Sequence, residues 1–316
     1  MAKRYLSGVQ PSGDLHLGNY FGAIRQHLAT QDDAFYFIAD WHALTTVHDA
    51  KTLRASVRDV AATYLALGLD PARACLYRQS DIPEVPELMW YLLPVAPMGL
   101  LERAVSYKDK VAKGIEASAG LFNYPVLMAA DILACESDVV PVGPDQVQHI
   151  EMTRDMAGSF NARYGETFKL PGYALGTAVS VPGIDGGKMS KSVGNTIPLF
   201  ATGNPLRKRV MSIKTDSTPV DAPKDPDRCT IFAIWSLFAT PPEIAEMRDR
   251  YAKGIRYGDA KEILYQRIES HFADARARRA ALTDEAIDDV LRRGAARVRA
   301  IAAPLLERVR KACGIR

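Results

Sequence analysis

The 316-residue sequence has few cysteines, no long apolar run and almost no excess of charge of either sign. Its four cysteines stand far apart without a CxxC pair, which excludes a zinc ribbon, an iron–sulfur site and a disulfide framework. No uncharged stretch is long enough to cross a bilayer, and the first residues, MAKRYLSGVQ, form no apolar signal segment. The sequence therefore predicts a cytoplasmic, reduced protein without a membrane partner.

The overall composition is that of an ordinary globular protein. Hydrophobic residues make up 47% and charged residues 24% of the chain, which excludes disorder and fibrous repeats. With 40 basic and 37 acidic residues the formal net charge is only +3, so a polyanion would have to bind a local basic patch. The length suffices for two modest domains.

The first half of the chain alternates short apolar runs with amphipathic stretches. This alternation predicts an α/β fold, with a Rossmann-like parallel sheet covered on both faces and ligands bound where strands end. The predicted strands are residues 4–8, 34–39, 74–79 and 138–142, and the predicted helices are residues 17–28, 51–68, 84–93, 120–135 and 145–164.

The second half has a helical pattern and no persuasive strand. We expect three parts: a Rossmann-like catalytic domain over residues 1–186, a mobile loop and linker over 187–196, and an all-helical domain over 197–316. The predicted helices of the last part are residues 205–213, 230–238, 242–254, 259–272 and 283–312.

A first phosphate-binding signal, QPSGDLHLGNY, lies between the first predicted strand and helix. Gly13 and Gly18 allow a sharp turn and a close approach to a ligand, and the helix N-terminus favours an anion. His16 and Asn19 would lie on one face and donate to the same anion. The segment is neither a Walker A loop nor a GxGxxG turn, and a plain tight turn with polar caps is the alternative.

A second signal, GKMSKSVGN, falls in the predicted linker. Lys188 and Lys191 flank a Met-Ser pair, and a mobile loop carrying them could close over a triphosphate. Ser190 and Ser192 add hydroxyl donors, and Met189 adds an adaptable apolar contact. The alternative is a solvated basic loop.

A third candidate site lies on the helix predicted from the segment NYPVLMAADIL. There Met128, Asp131 and Ile132 share one face, which would be an apolar wall with a single carboxylate. An ionised Asp can only accept hydrogen bonds, so its natural ligand is a flat ring with one N–H, such as an indole. An Asp paired with a lysine on a helix surface is the alternative.

Together, the His-Leu-Gly turn and Lys-Met-Ser-Lys-Ser resemble the paired signature of class I aminoacyl-tRNA synthetases. The segments YPVLMAADIL and VPVGPDQVQHIEMTRD are similar to bacterial tryptophanyl-tRNA synthetases, and this likeness runs across nearly the whole chain. The resemblance implies a homodimeric enzyme that activates L-tryptophan with ATP, releases pyrophosphate and then esterifies tRNA(Trp). It also implies that Mg²⁺ is carried on the triphosphate, without a metal site of the protein's own.

The resemblance carries over to individual positions. It assigns His16, Asn19, Lys188 and Lys191 to catalysis and Lys108 and Lys110 to a basic loop near the pyrophosphate. The implied ATP site consists of Gln10, Pro11, Ser12, Gly18, Asn19, Gly143, Pro144, Asp145, Val179, Lys188, Met189, Ser190, Lys191 and Ser192. The implied tryptophan site consists of Asp131, Tyr124, Met128, His42, Gln146, Val140 and Val142.

Two positions depart from the family pattern. Leu6 stands at a position where many members of the similar family have a Phe, and Trp41 stands where a Gln is frequent. The segment SVPGIDGGKMSKS is also similar to tyrosyl-tRNA synthetases, so a tyrosyl enzyme is the first alternative. The others are a small-molecule nucleotidyltransferase without a tRNA partner and a synthetase-like regulator that has lost activity.

The C-terminal segment is the expected tRNA contact. Residues 276–316 contain eleven basic and five acidic residues, a surplus of six positive charges. A basic helix suits contacts to phosphates, and the helical domain is therefore expected to bind the anticodon. A solvated face on a terminal helix is the alternative.

Overall fold

The computed structural model describes residues 3–315 except 12, 113, 115, 116, 177, 178 and 221, and it leaves the side chains of 106, 109–111 and 145 undescribed. Within these residues, a five-stranded sheet has the order β3-β2-β1-β4-β5, and every pairing is parallel. This confirms the predicted α/β fold. The strands are β1 (Tyr5–Val9), β2 (Ala34–Ile38), β3 (Cys75–Arg78), β4 (Val139–Val142) and β5 (Gly172–Leu175).

The strand order creates a crevice beside β1. From β1 the chain builds outward through β2 to β3, and it then returns to place β4 on the other side of β1. The connections of β1 and β4 therefore leave the sheet in opposite directions, and ligands bind at such a switch point beyond the carboxyl ends of the strands. Strand β2 is buried over its whole length, as expected for a strand covered on both faces.

Helices cover both faces of the sheet. The predicted helix 17–28 is divided, because α1 passes through a π-helical turn, Tyr20–Ile24, before α2. The helices of the first half are α1 (Leu17–Asn19), α2 (Arg25–Ala29), α3 (Asp40–Ala43), α4 (Ala50–Ala66), α5 (Glu84–Leu92), α6 (Met98–Glu102), α7 (Val105–Ala112), α8 (Ala119–Ala134) and α9 (Val147–Tyr164).

The second half is helical after β5, as predicted. Its helices are α10 (Gly203–Met211), α11 (Thr230–Ser236), α12 (Pro241–Ala252), α13 (Tyr257–His271), α14 (Ala273–Ala281) and α15 (Asp284–Cys313). Strand β5 and helix α14 were not predicted. Most of β5 is exposed, so it lacks the apolar alternation that marks a strand.

The longest helix, α15, returns to the sheet instead of staying with the other C-terminal helices. It packs against β3, and its apolar residues Ala295, Val298 and Leu305 are buried in the same core as Leu6 and the residues around it. Residues 284–313 therefore pack on the sheet of the first half of the chain. This packing differs from the expectation that all of 197–316 forms a separate helical domain.

The arginines of α14 and α15 are engaged within the chain. Arg279 pairs with Asp59 of α4, Arg308 pairs with Glu136, and Arg310 pairs with Glu87 of α5. The remaining described arginines from 276 onward bond carboxylates or backbone carbonyls: Arg276, Arg278, Arg292, Arg293, Arg297 and Arg299. Most of these arginines thus bond other elements of the chain, whereas Arg292 and Arg293 pair with Asp289 of the same helix and stay exposed.

The four cysteines are free thiols, and burial raises the pKa of the Cys135 thiol to about 12. Within the part of the chain that the structure describes, no helix combines the length and the apolar character needed to cross a membrane.

Candidate active site

The His-Leu-Gly turn follows β1 and caps helix α1. The Nδ1 atom of His16 accepts a hydrogen bond from the backbone N–H of Gly18 at 3.1 Å, and Asn19 Oδ1 accepts from the backbone N–H of His16 at 3.0 Å. A Cβ atom on Gly18 would lie 2.9 Å from the His16 ring, so any residue other than glycine at position 18 would displace this ring. The turn is a reciprocal cap, and it fixes both polar side chains.

The environment of His16 keeps its imidazole neutral. Burial, assisted by the nearby Lys191 ammonium, lowers the pKa of His16 to about 4. Since Nδ1 accepts the Gly18 N–H, the ring proton resides on Nε2. The side chain can therefore donate one hydrogen bond to an anion at neutral pH without itself carrying charge.

The lysine loop is held by a buried asparagine. Asn195 Nδ2 donates to Asp185 Oδ1 and to the Lys188 carbonyl, while its Oδ1 accepts the Ser190 N–H at 2.7 Å. An isolated β-bridge between Pro182 and Lys188 closes the base of the loop. The segment expected to be a mobile loop thus has a defined base, and Lys188 is exposed at its end.

The two signature segments contact each other directly. Lys191 Nζ donates to the Gly13 carbonyl at 2.8 Å, and the backbone N–H of Leu17 donates to the Ile197 carbonyl at 3.1 Å. Burial lowers the pKa of the Lys191 ammonium. Two segments some 175 residues apart therefore form one wall.

A cavity of about 470 Å³ lies at this wall. It is lined by histidine, asparagine, serine and lysine residues, whose side chains donate hydrogen bonds or carry positive charge, together with glycine, valine and methionine residues. Such a lining suits a polyanion more than a cation. The lining includes these predicted ATP-site residues: His16, Gly18, Asn19, Val179, Lys188, Met189, Ser190 and Lys191.

A second cavity, of about 270 Å³, opens between the carboxyl ends of β1 and β4 and helix α8. Its walls are mainly apolar, with Leu6 and Phe37 at the sheet side; Leu6 is one of the two positions that depart from the family pattern, and Phe37 was not singled out from the sequence. Six predicted tryptophan-site residues line it: His42, Tyr124, Met128, Val140, Val142 and Gln146. The volume and the apolar lining fit a bicyclic aromatic side chain.

Asp131 is buried beside this cavity, but it is not solitary. The side chain is 3% exposed; its Oδ2 accepts from His42 Nε2 at 2.9 Å, and Gln79 Nε2 lies 2.9 and 2.8 Å from its two oxygens. Burial raises the pKa of Asp131, and the bonds from His42 and Gln79 oppose this shift. The expected apolar wall with an unpaired carboxylate is therefore wrong in that detail, because two polar partners hold the carboxylate.

Other predicted residues lie outside the two cavities or on a different wall. Gln10, expected at the ATP site, lines the smaller cavity, and Lys108 is exposed on α7. Gly143 and Pro144 begin the turn after β4, and Pro11 is buried beside the His-Leu-Gly turn. Ser192 bonds Ser190 at 2.9 Å on the exposed side of the loop. Ser12 and the side chains of Lys110 and Asp145 lie outside the described residues.

Two buried partners in the site were missed from sequence. Gln79 bonds Asp131, and His149 Nε2 bonds the Tyr124 hydroxyl at 2.8 Å. Gln79 is the last residue of the predicted strand 74–79, and its position at a strand's carboxyl end was an available signal, the same one that pointed to His42.

The described residues contain no group of three or more His, Cys, Asp or Glu side chains that could hold a metal ion. Lysine, histidine and asparagine around the larger cavity fit phosphate oxygens rather than a divalent cation. A metal ion at this site would therefore rest on oxygens supplied by a ligand.

Comparison with known proteins gives one consistent family. The model of the family tRNA synthetases class I (W and Y) matches residues 2–277. The chain is 53% identical to the tryptophan–tRNA ligase of Rhodopirellula baltica over 99% of this chain and 100% of that protein, and 50% identical to that of Fusobacterium nucleatum over 98% and 96%.

A solved structure agrees with these relatives. The tryptophanyl-tRNA synthetase of Campylobacter jejuni, in complex with ADP and tryptophan, superimposes with a TM-score of 0.94 at 45% identity, covering 98% of this chain and 99% of that one. The chain therefore belongs to the class I tRNA synthetases, within the branch formed by the tryptophan–tRNA ligases.

Proposed function

We propose that this tryptophan–tRNA ligase activates L-tryptophan in the smaller cavity and binds the phosphates of ATP in the larger one. The observation that carries the assignment is the contact of the two signature segments, made by Lys191 and Gly13, beside the apolar cavity at the β1–β4 crevice. The chemistry is attack of the tryptophan carboxylate on the α-phosphate, which forms tryptophanyl-adenylate and releases pyrophosphate. The tryptophan is then transferred to tRNA(Trp).

The indole ring fits between the apolar walls of the smaller cavity, with its N–H directed to Asp131. A carboxylate has room for about four hydrogen bonds, and two donor atoms, His42 Nε2 and Gln79 Nε2, already contact Asp131. An acceptor position remains for a ring N–H. Tyrosine, whose hydroxyl needs polar partners at another place on the ring, fits the Met128 and Ile132 wall poorly.

The phosphate site works through positioning and charge. His16 donates from Nε2 and Asn19 donates from Nδ2 to oxygens of the triphosphate, while Lys188 and Lys191 bind the leaving pyrophosphate. Carboxylate is a competent nucleophile at neutral pH, so the step needs no general base. Mg²⁺ would be held by triphosphate oxygens and water, and it would neutralise charge on the leaving group.

The adenosine half of ATP is assigned to the loop after β4 and to Val179. Gly143 begins this loop, and Pro144 and Asp145 follow it at the sheet's carboxyl edge, where mononucleotides bind in related folds. Lys108 and Lys110 lie on α7, and Lys108 is exposed in the structure. We propose that these two lysines approach the pyrophosphate only when the segment that carries α7 moves.

We also infer a homodimer that works in the cytoplasm. Helices α5 and α6 expose Trp90 at 69% and Met98 at 63%, which is unusual for large apolar side chains on one short stretch of a chain. The helical segment 197–316 is the proposed anticodon-binding part, with RNA contacts made mainly by residues before α14, because the arginines of α14 and α15 already have partners.

Replacement of Lys191 by alanine tests the phosphate assignment. Because Lys191 stabilises charge that develops on the leaving pyrophosphate, tryptophan-dependent pyrophosphate exchange should slow by about 100-fold or more. Tryptophan affinity, measured by equilibrium binding, should stay within about twofold. Lys208→Ala, which removes an exposed lysine from α10, is the matched control. Equal losses of exchange rate and tryptophan affinity in Lys191→Ala would contradict the assignment.

A further inference from the structure

Gln79 occupies a junction between two strand ends and the tryptophan cavity. The residue is 1% exposed and directly follows β3, whose last residue, Arg78, pairs with the last residue of β2. Its Nε2 donates to both oxygens of Asp131, and its Oε1 accepts the backbone N–H groups of Trp41 and His42 at 3.1 and 3.3 Å. The amide nitrogen is thus shared between the two carboxylate oxygens, and the amide oxygen accepts two backbone N–H groups.

This pattern allows only one orientation of the amide. A flipped amide would place Oε1 against two carboxylate oxygens and Nε2 against two N–H groups, which is unfavourable on both sides. The next residue strengthens the junction, because the Ser80 N–H donates to Asp40 Oδ1 at 3.0 Å and its hydroxyl donates to Asp40 Oδ2. The side chain of Gln79 is therefore anchored at the start of α3 and presents its amide nitrogen, as donor, at a fixed place.

The Gln79 amide nitrogen determines how Asp131 is oriented, because it lies within hydrogen-bond distance of both carboxylate oxygens. Without it the carboxylate would keep the bond from His42 and could rotate about its χ2 angle. Hydrogen bonds to the charged form also favour an ionised carboxylate in a buried site. A protonated carboxyl group would present a hydroxyl to a ring N–H, and a rotated carboxylate would present no oxygen to it.

We propose that Gln79 is a positioning residue for substrate selection, which holds the Asp131 carboxylate so that one oxygen remains available to the indole N–H. It has no contact with the substrate, and it acts through Asp131 and through the start of helix α3, which carries His42. The inference rests on the proposed role of Asp131. Its measurable consequence is selectivity for tryptophan over a ring of the same shape that lacks the N–H.

The test compares L-tryptophan with its analogue in which sulfur replaces the ring N–H, a benzothiophene. Pyrophosphate exchange gives kcat/KM for each amino acid, and their ratio measures the preference for the N–H. In Gln79→Met, which keeps the length without donors, the ratio should fall about tenfold or more. The change should arise from a higher KM for tryptophan, with kcat within a few-fold of the unchanged protein.

Gln31 supplies a matched control. It is another buried amide, whose Nε2 donates to the Leu28 and Gly68 carbonyls and whose Oε1 accepts the Asp70 N–H, away from both cavities. Gln31→Met should lower the unfolding midpoint and leave the selectivity ratio unchanged. If Gln79→Met fails to fold, Gln79→Leu serves instead, because it is also apolar and has no donor, and it should also lower the ratio.

The outcomes separate the inference from the role of Asp131. A folded Gln79→Met or Gln79→Leu protein with an unchanged ratio, beside an Asp131→Leu protein whose ratio has collapsed, would overturn the positioning role alone. An unchanged ratio in Asp131→Leu would overturn the indole contact and, with it, the inference. A lower ratio in both the Gln79 and the Asp131 variants, with Gln31→Met unaffected, supports the proposal.

Discussion

At the scale of single residues, the structure shows how neighbours change what a side chain can do. His16 donates as a neutral imidazole because burial and Lys191 lower its pKa to about 4. Asp131 accepts in a defined direction because Gln79 and His42 hold it. Neither property follows from residue type alone, and both depend on atoms contributed by distant parts of the chain.

A buried histidine away from the site links stability to pH. His27 Nδ1 lies 2.8 Å from the Tyr64 hydroxyl, its ring stacks on Tyr36, and burial lowers its pKa to about 4. In the unfolded chain the His27 imidazole is protonated below about pH 6.5, whereas in the folded protein it stays neutral down to about pH 4. Acidification between these two pH values therefore favours the unfolded chain and lowers the free energy of unfolding. His27→Gln should reduce the loss of unfolding free energy between pH 7 and 4.5 by about 2 kcal/mol.

Urea unfolding at the two pH values measures this difference. Tyr64→Phe is the control, since it removes the hydrogen bond but leaves the imidazole buried, and it should retain the pH dependence of the unchanged protein. A His27→Gln protein that loses as much unfolding free energy on acidification as the unchanged protein would show that other groups cause the effect.

At the scale of elements, the packing of α15 on β3 depends on one glycine. A Cβ atom built on Gly294 would overlap the Leu76 carbonyl oxygen and lie 2.8 Å from its carbon, and this backbone cannot move without disturbing the sheet. Gly294→Ala should therefore destabilise the protein by about 2 kcal/mol or more, although alanine normally favours a helix by about 1 kcal/mol. Urea denaturation with the fluorescence of the tryptophans as signal measures the change.

The helix α13 contains the matched glycine for this experiment. Nothing lies within 4 Å of a Cβ atom built on Gly258, so Gly258→Ala should be neutral or slightly stabilising. Equal stability of the two variants would mean that α15 can withdraw from β3 at little cost.

The elements that sequence predicted are those with a strong local pattern. Strands β1 to β4 and the long helices were predicted within a few residues, because continuous apolar runs and helical periodicity mark them. Strand β5 was missed since three of its four residues are exposed, and α14 was missed since its pattern is dominated by alanine and arginine. The carboxyl-edge location of the site followed from the predicted α/β alternation.

The contacts between distant segments were beyond the reach of sequence. Gln79 and Asp131 are 52 residues apart, and nothing in the local pattern of either segment indicates that they bond. The same holds for α15, whose apolar stripe and Gly294 fit a neighbouring helix as well as a strand. Six of the seven predicted tryptophan-site residues line one cavity. The family resemblance supplied most of these positions, and local pattern indicated Met128 by helical spacing and His42 by its place at a strand end.

At the scale of the whole molecule, one part of the surface is held by ion pairs and another part exposes large apolar side chains. Arginines of α14 and α15 pair with Asp59 of α4, Glu87 of α5 and Glu136 just beyond α8, so they fasten the C-terminal helices to the rest of the chain. Helices α5 and α6 instead expose large apolar side chains. The ion pairs of α14 and α15 connect parts of one chain, whereas the apolar surface of α5 and α6 is suited to contact between two chains.

The proposed homodimer predicts how a single charge on the apolar surface changes the assembly. Trp90 is 69% exposed in one chain, and a carboxylate buried in its place at a two-fold interface would face its own copy without a partner. Trp90→Glu should therefore shift the mass measured by light scattering from dimer to monomer at micromolar concentration and should raise the apparent KM for tRNA. Val220→Glu, which alters an exposed apolar residue in a loop of the helical half, should leave the mass unchanged. A Trp90→Glu protein that keeps the dimer mass would place the interface elsewhere on the surface.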